Sequence, residues 1–215
     1  MRKNLIKNLI ALLLVLVANS FQAQAQAQEE STSQLMANVT TTLDLSDTQV
    51  PQIQALLTQY RGKLDGILLK YEDQEEPEVD KMIGEIRDVR DGYRKDLQGI
   101  LSPDQYTTYL AKVDGIMTDM FNDLAVIRLL EVQPQVDLTD GQVKSLVPIV
   151  GKSMLSTVRL LFENAGKRLS LPKKVGIKND MKKIEKEKRA GMEKIMTGAQ
   201  MDAYDAYKEE QKKNK

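Results

Sequence analysis

The chain has 215 residues, with 31 basic and 31 acidic side chains and neither Cys nor His. Disulfides are excluded, the commonest general base and transition-metal ligand are missing, and stability must come from packing. The zero total conceals an asymmetry: residues 28–133 hold 20 acidic and 10 basic side chains, residues 134–215 hold 11 acidic and 18 basic, so the two parts carry −10 and +7.

At the N-terminus, Arg2, Lys3 and Lys7 precede the apolar run Leu9 to Ala18, which gives way to the small and polar segment "NSFQAQAQAQ". This is the pattern of a secretory signal peptide over residues 1–27, with cleavage expected after Ala25 or Ala27. Its apolar core falls well short of the roughly 20 residues that span a bilayer, and no later segment is expected to span one. About 188 residues remain, enough for one sizeable domain or two small ones that share a core.

Apolar periodicity then predicts six helices. Val50, Ile53, Leu56, Leu57, Tyr60, Leu64, Ile67, Leu68 and Tyr71 mark one stripe of a helix over about 47–74, which the acidic turn "EDQEEPE" ends. A second helix is expected over about 78–100 and a third from Pro103 to about Glu131, with "VQPQV" linking the two halves of the chain. Three more are expected at about 140–168, 173–195 and 198–213. Pro51 and Pro148 fall inside this pattern, where each deletes a backbone bond. No β-branched segment alternates with period two, so the fold class is all-α.

One pattern recurs four times. Leu or Met, then Ser or Thr, two variable residues and Gln run from Leu45 to Gln49, Leu101 to Gln105, Leu138 to Gln142 and Met196 to Gln200. Each reads as a capping box, with Ser46, Ser102, Thr139 and Thr197 as N-caps and Gln49, Gln105, Gln142 and Gln200 reaching back to them. The apolar residue before each cap and the one after each Gln complete a hydrophobic staple. "LDLSDTQV" at 43–50 and "VDLTDGQV" at 136–143 extend the likeness upstream of the box. Apolar positions between boxes agree as well, Ile53 with Leu146 at an offset of 93 and Ile86 with Met181 at 95. The chain therefore reads as an internal duplication: two tandem three-helix units, residues 28–133 and 134–215, forming a bundle or cradle.

Two such boxes about 55 to 60 residues apart, in an exported all-helical chain, resemble the periplasmic Spy and CpxP family, the LTXXQ proteins. The resemblance covers "LSDTQ" through "LSPDQ" and again "LTDGQ" through "MTGAQ". It implies a periplasmic location, a cradle-like helical fold, ATP-independent chaperoning of unfolded exported proteins or a role in envelope stress, and homodimerisation. Two copies in one chain depart from the usual single copy, so the partner half is either a second molecule or the other half of this one.

Candidate client-binding residues come from two dense apolar stretches. Val158, Leu160, Leu161 and Phe162 exceed one narrow stripe, because successive helical residues turn by about 100°. Met117, Met120, Phe121 and Leu124 add soft, adaptable surface. The competing reading places both stretches in the core. Lys182, Lys183, Lys186, Lys188 and Arg189 read as a solvated helix face, and an exported protein is not expected to meet nucleic acid. No cofactor or metal is expected: "YEDQEEPEVD" lacks the ligand ladder of a calcium loop, and Met192, Met196 and Met201 fit core packing as well as they fit Cu(I). No phosphate loop or nucleophile–base pair points to an enzyme. Besides chaperoning, a partner-specific adaptor or a structural helical module fits the same pattern.

Overall fold

The computed structural model describes residues 25–72, 74 and 77–213. The expected signal segment lies almost wholly outside them. The chain is all-α: the described residues contain no strand and seven helices rather than six. They are α1 (described over 25–43), α2 (Val50–Glu72), α3 (Val79–Ile100), α4 (Pro103–Val136), α5 (Asp140–Asn164), α6 (Leu171–Met192) and α7 (Gly198–Lys213).

The unanticipated helix is α1. It buries Leu35, Met36, Val39 and Leu43, which recur at helical spacing, and it is tied to α4 by polar bonds. Thr32 Oγ1 donates to Asp123 Oδ1 at 3.2 Å, and Asn38 Nδ2 donates to Asp119 Oδ2 at 3.2 Å. Asp123 is 2% exposed and also pairs with Arg61 of α2, so the acid that anchors α1 is itself neutralised.

A second difference concerns "VQPQV". These residues belong to α4, which runs through Pro134 and, at 34 residues, is about 50 Å long. The proline falls in the last turn, so the bond it deletes is near the end of the ladder, while Val136 is buried and anchors that turn. Helix α4 ends at Asp137, left-handed with φ 56° and ψ 48°, whose N–H reaches the Gln133 carbonyl. Only Asp137, Leu138 and Thr139 separate α4 from α5, and a connection this short makes the two helices antiparallel neighbours. Pro51 also moves: α2 begins at Val50, so the proline sits in the first turn, where a missing N–H is harmless. Pro148 remains inside α5.

Helix α5 is the axis of the molecule, packing most extensively on α4 and also on α6 and α3. Helices α4 and α5 pass close at Gly151, where a Cβ would meet Asn122 Oδ1 and come within 3.1 Å of the Phe121 carbonyl. On either side of this crossing the interior divides. One core joins α1, α2, α3 and α4 with Met154, Leu155, Val158 and Leu161 of α5. The other joins Leu129, Val136, Val143 and Leu146 with Met192, Met196 and Met201. Met196 and Met201 are core filler, while Met192 is in the same core and also borders a cavity. By length and composition α5 is the one described helix apolar enough to cross a membrane, contrary to the expectation that no later segment would be. Here it lies between α3, α4 and α6.

The charge asymmetry finds its use in this packing. Among the described residues, the ion pairs that join 28–133 to 134–215 have their acid in the first part and their base in the second: Asp80 with Lys174, Asp114 with Arg159, and Glu72 with Lys188 and Lys208.

Candidate functional site

Three of the four boxes form in full. Ser102, Thr139 and Thr197 each accept the Gln backbone N–H on the hydroxyl at 3.2 Å, while the Gln Oε1 accepts the cap residue's own N–H at 2.9 to 3.0 Å. At Ser46 only half forms. Gln49 Oε1 accepts the Ser46 N–H, but the Gln49 N–H bonds the Ser46 carbonyl, and the hydroxyl meets Thr48 Oγ1 and Gln49 Oε1.

The glutamines have a second task that the capping reading did not include. Gln142 and Gln200 form a reciprocal amide pair, each Nε2 donating to the other's Oε1 at 2.8 and 3.1 Å. Gln49 and Gln105 do the same at 2.8 and 3.0 Å. The remaining amide protons reach backbone carbonyls: Gln49 to Ile100, Gln142 to Ile195, Gln105 to Asp44 and Gln200 to Asp137. Asp44 and Asp137 are the two non-glycine residues with positive φ among those described, at 49° and 56°, and they lie 93 positions apart. Each clasp thus holds two helix starts and the turn before them.

The eight candidate client residues are mostly interior. Phe121, Val158 and Leu161 are fully buried, Met120 and Leu124 nearly so, and Met117, Leu160 and Phe162 are half-buried against the first core. The density of apolar residues on α5 is answered by several packing partners, α3, α4 and α6, and not by an exposed face.

The space available to a guest lies elsewhere, between the two cores. A cavity of about 380 Å³ is walled by α2, α4, α5, α6 and α7, with Met82 of α3. Its apolar lining comes from Leu68, Tyr71, Leu129, Val132 and Val150 together with four methionines, Met82, Met154, Met181 and Met192. Exposed Lys182 and Gln211 reach its mouth.

One wall is charged. Glu72, the last residue of α2, accepts from Lys188 Nζ and Lys208 Nζ at 3.2 Å each and from Arg128 Nη1 at 3.3 Å. Arg128 also bonds Asp65 at 2.6 Å, and Lys188 pairs with Glu185 at 2.7 Å. Burial alone would raise the Glu72 carboxyl, but Lys188, Lys208 and Arg128 outweigh it and bring it down to about 2. For Lys188, burial favours the neutral amine, yet Tyr204, Glu72 and Glu185 raise it above its ordinary value. Burial pushes Glu131, also in the lining, upward, with the charge of Asp65 adding to the effect.

Lys188 was expected on a solvated face; it is 7% exposed, because its helix position points between α2 and α7. The interleaving of lysines with apolar residues on α6 hid the buried position of Lys188. No group of three or more acidic residues among the described residues could hold a metal. No family model, curated protein or solved structure matches the chain.

Proposed function

We propose that the chain is an exported, non-catalytic binding protein that shields apolar segments of unfolded proteins without ATP, and that the cavity between the two cores is where such segments enter. The observation that carries this reading is the lining. Four methionines stand around this cavity, Met181 half-buried and Met82, Met154 and Met192 buried behind it, and unbranched, polarisable thioethers suit a site that must reshape to take many sequences. A guest of this kind buries apolar side chains, while charged groups at the wall and mouth keep the empty site hydrated. The reading includes a signal peptide, a periplasmic address and an origin by duplication, with α2, α3 and α4 answering to α5, α6 and α7. The duplicated clasps and the left-handed aspartates favour that origin.

The test is light scattering of several unrelated unfolded proteins with stoichiometric mature protein and no nucleotide. Aggregation should be delayed for most of them. Met181→Ser, at a half-buried position in the lining, should weaken the delay while leaving the melting temperature nearly unchanged. Met120→Ser, in the core, should lower stability first, since truncating a buried Met removes about 2 to 5 kcal/mol of packing. No delay for any client would reject the chaperone reading in favour of an adaptor for one folded partner.

A further inference from the structure

The charged wall calls for its own explanation. Lining the cavity are five cations, Arg128, Lys178, Lys182, Lys188 and Lys208, and three acids, Glu72, Glu131 and Glu185. Glu72 is already shared among three of the cations. Burying a pair such as Glu72 and Lys188 in a largely apolar wall is weak as a stability device, because well-packed apolar residues of similar size are often as stable or more so. A cluster of cations at one side of an apolar cavity does, however, match a ligand with an apolar body and one negative end.

We propose that this cavity binds an alkyl-chain carboxylate of the fatty-acid class, its chain along the methionine wall and its carboxylate beside Lys208 and Lys188. The shape fits the purpose. A volume of about 380 Å³ lies in the range of small-molecule sites, and the lining is mainly apolar with few convergent polar groups. Beside Lys188 and Lys208 the ligand carboxylate exchanges water for charge-assisted hydrogen bonds. The proposal uses the same cavity as the chaperone reading but does not depend on client binding.

Titration calorimetry of the mature protein tests it with octanoate, decanoate and decyltrimethylammonium, each below its critical micelle concentration. Decanoate should bind with one-to-one stoichiometry, up to about fourfold tighter for each methylene added over octanoate. The cationic amphiphile should bind at least tenfold more weakly. Lys208→Gln, which leaves Glu72 paired to Lys188 and Arg128, should weaken decanoate about tenfold without changing the far-ultraviolet spectrum. Thr157→Trp, filling the lining from a half-buried position, should abolish binding. If that variant misfolds, Val132→Trp serves instead. Equal affinity for the two headgroups, or no decanoate binding by the folded protein, overturns the assignment. The aggregation assay, run without amphiphile, stands or falls separately.

Discussion

Gln142→Ala separates a capping residue from a clasp. If Gln142 only completed a capping box, its loss would resemble that of the cap itself, and Thr139→Ala costs about 1 kcal/mol by that mechanism. In the structure the Gln142 side chain accepts the Thr139 N–H, donates to the Ile195 carbonyl at 3.0 Å and exchanges two hydrogen bonds with Gln200. Four bonds at about 1 kcal/mol each set an upper limit, and water reaching this half-exposed site reduces it to about 2 to 3 kcal/mol. For a chain of this size that is a fall in melting temperature of about 5 to 10 °C. Urea unfolding followed by circular dichroism measures both variants on one scale. The Gln142→Ala, Gln200→Ala double-mutant cycle should show a coupling of about 1 kcal/mol, because either single change already destroys the amide pair. A cost for Gln142→Ala no larger than for Thr139→Ala, with additive double mutants, would refute the clasp.

Ser46→Ala should cost less than Thr139→Ala in the same assay, since the Ser46 hydroxyl does not take the Gln49 N–H. Glu72 sets an acid limit: its folded pKa of about 2 lies below the unfolded 4.5, so its contribution is full above pH 4.5 and lost as pH falls through 2. That contribution is about 3 kcal/mol, and Glu72→Gln should flatten the corresponding part of a stability–pH profile. Arg61→Met leaves Asp123 buried beside Thr32 alone and should cost about 3 to 5 kcal/mol, with hydrogen exchange rising first in α1. Gly151→Ala should cost about 1 to 3 kcal/mol by forcing α4 and α5 apart, measured by the same unfolding assay.

The helices of 50–72, 79–100 and 140–164 were legible because each buries one face, so the apolar period survives in the sequence. Helix α1 was not, although Leu35, Met36, Val39 and Leu43 carry the period. Its Thr-rich end weakens the local signal, and tertiary bonds to Asp119 and Asp123 supply what propensity lacks. The continuation of α4 through Pro134 escaped notice for a similar reason: a proline near a helix end reads as a boundary, while the burial that holds Val136 is not local. For the cavity, the sequence offered almost nothing. Glu72, Arg128, Lys188 and Lys208 lie on four helices, and no spacing along the chain marks side chains that only packing brings together.

The clasp explains why the last residue of each box is Gln, when Glu would serve a capping box equally well. Box geometry uses only an acceptor, and either residue has one. The reciprocal pair requires a donor and an acceptor on the same group, and the bonds to the Asp44, Ile100, Asp137 and Ile195 carbonyls require the donor. Glu at both positions would place two carboxylates in contact, each facing a backbone carbonyl that offers no proton. The aspartates two residues before the Ser46 and Thr139 caps have a matching reason. For its carbonyl to face the second glutamine, the chain must turn through the left-handed region, which Asp tolerates better than a β-branched residue. What looks in the sequence like a repeated helix start, Asp-Leu-hydroxyl-x-x-Gln, is in space a repeated joint between a turn and two helices. That joint fixes both ends of the long α4, Ser102 in the first clasp and Asp137 in the second, and so holds the walls on which the cavity depends.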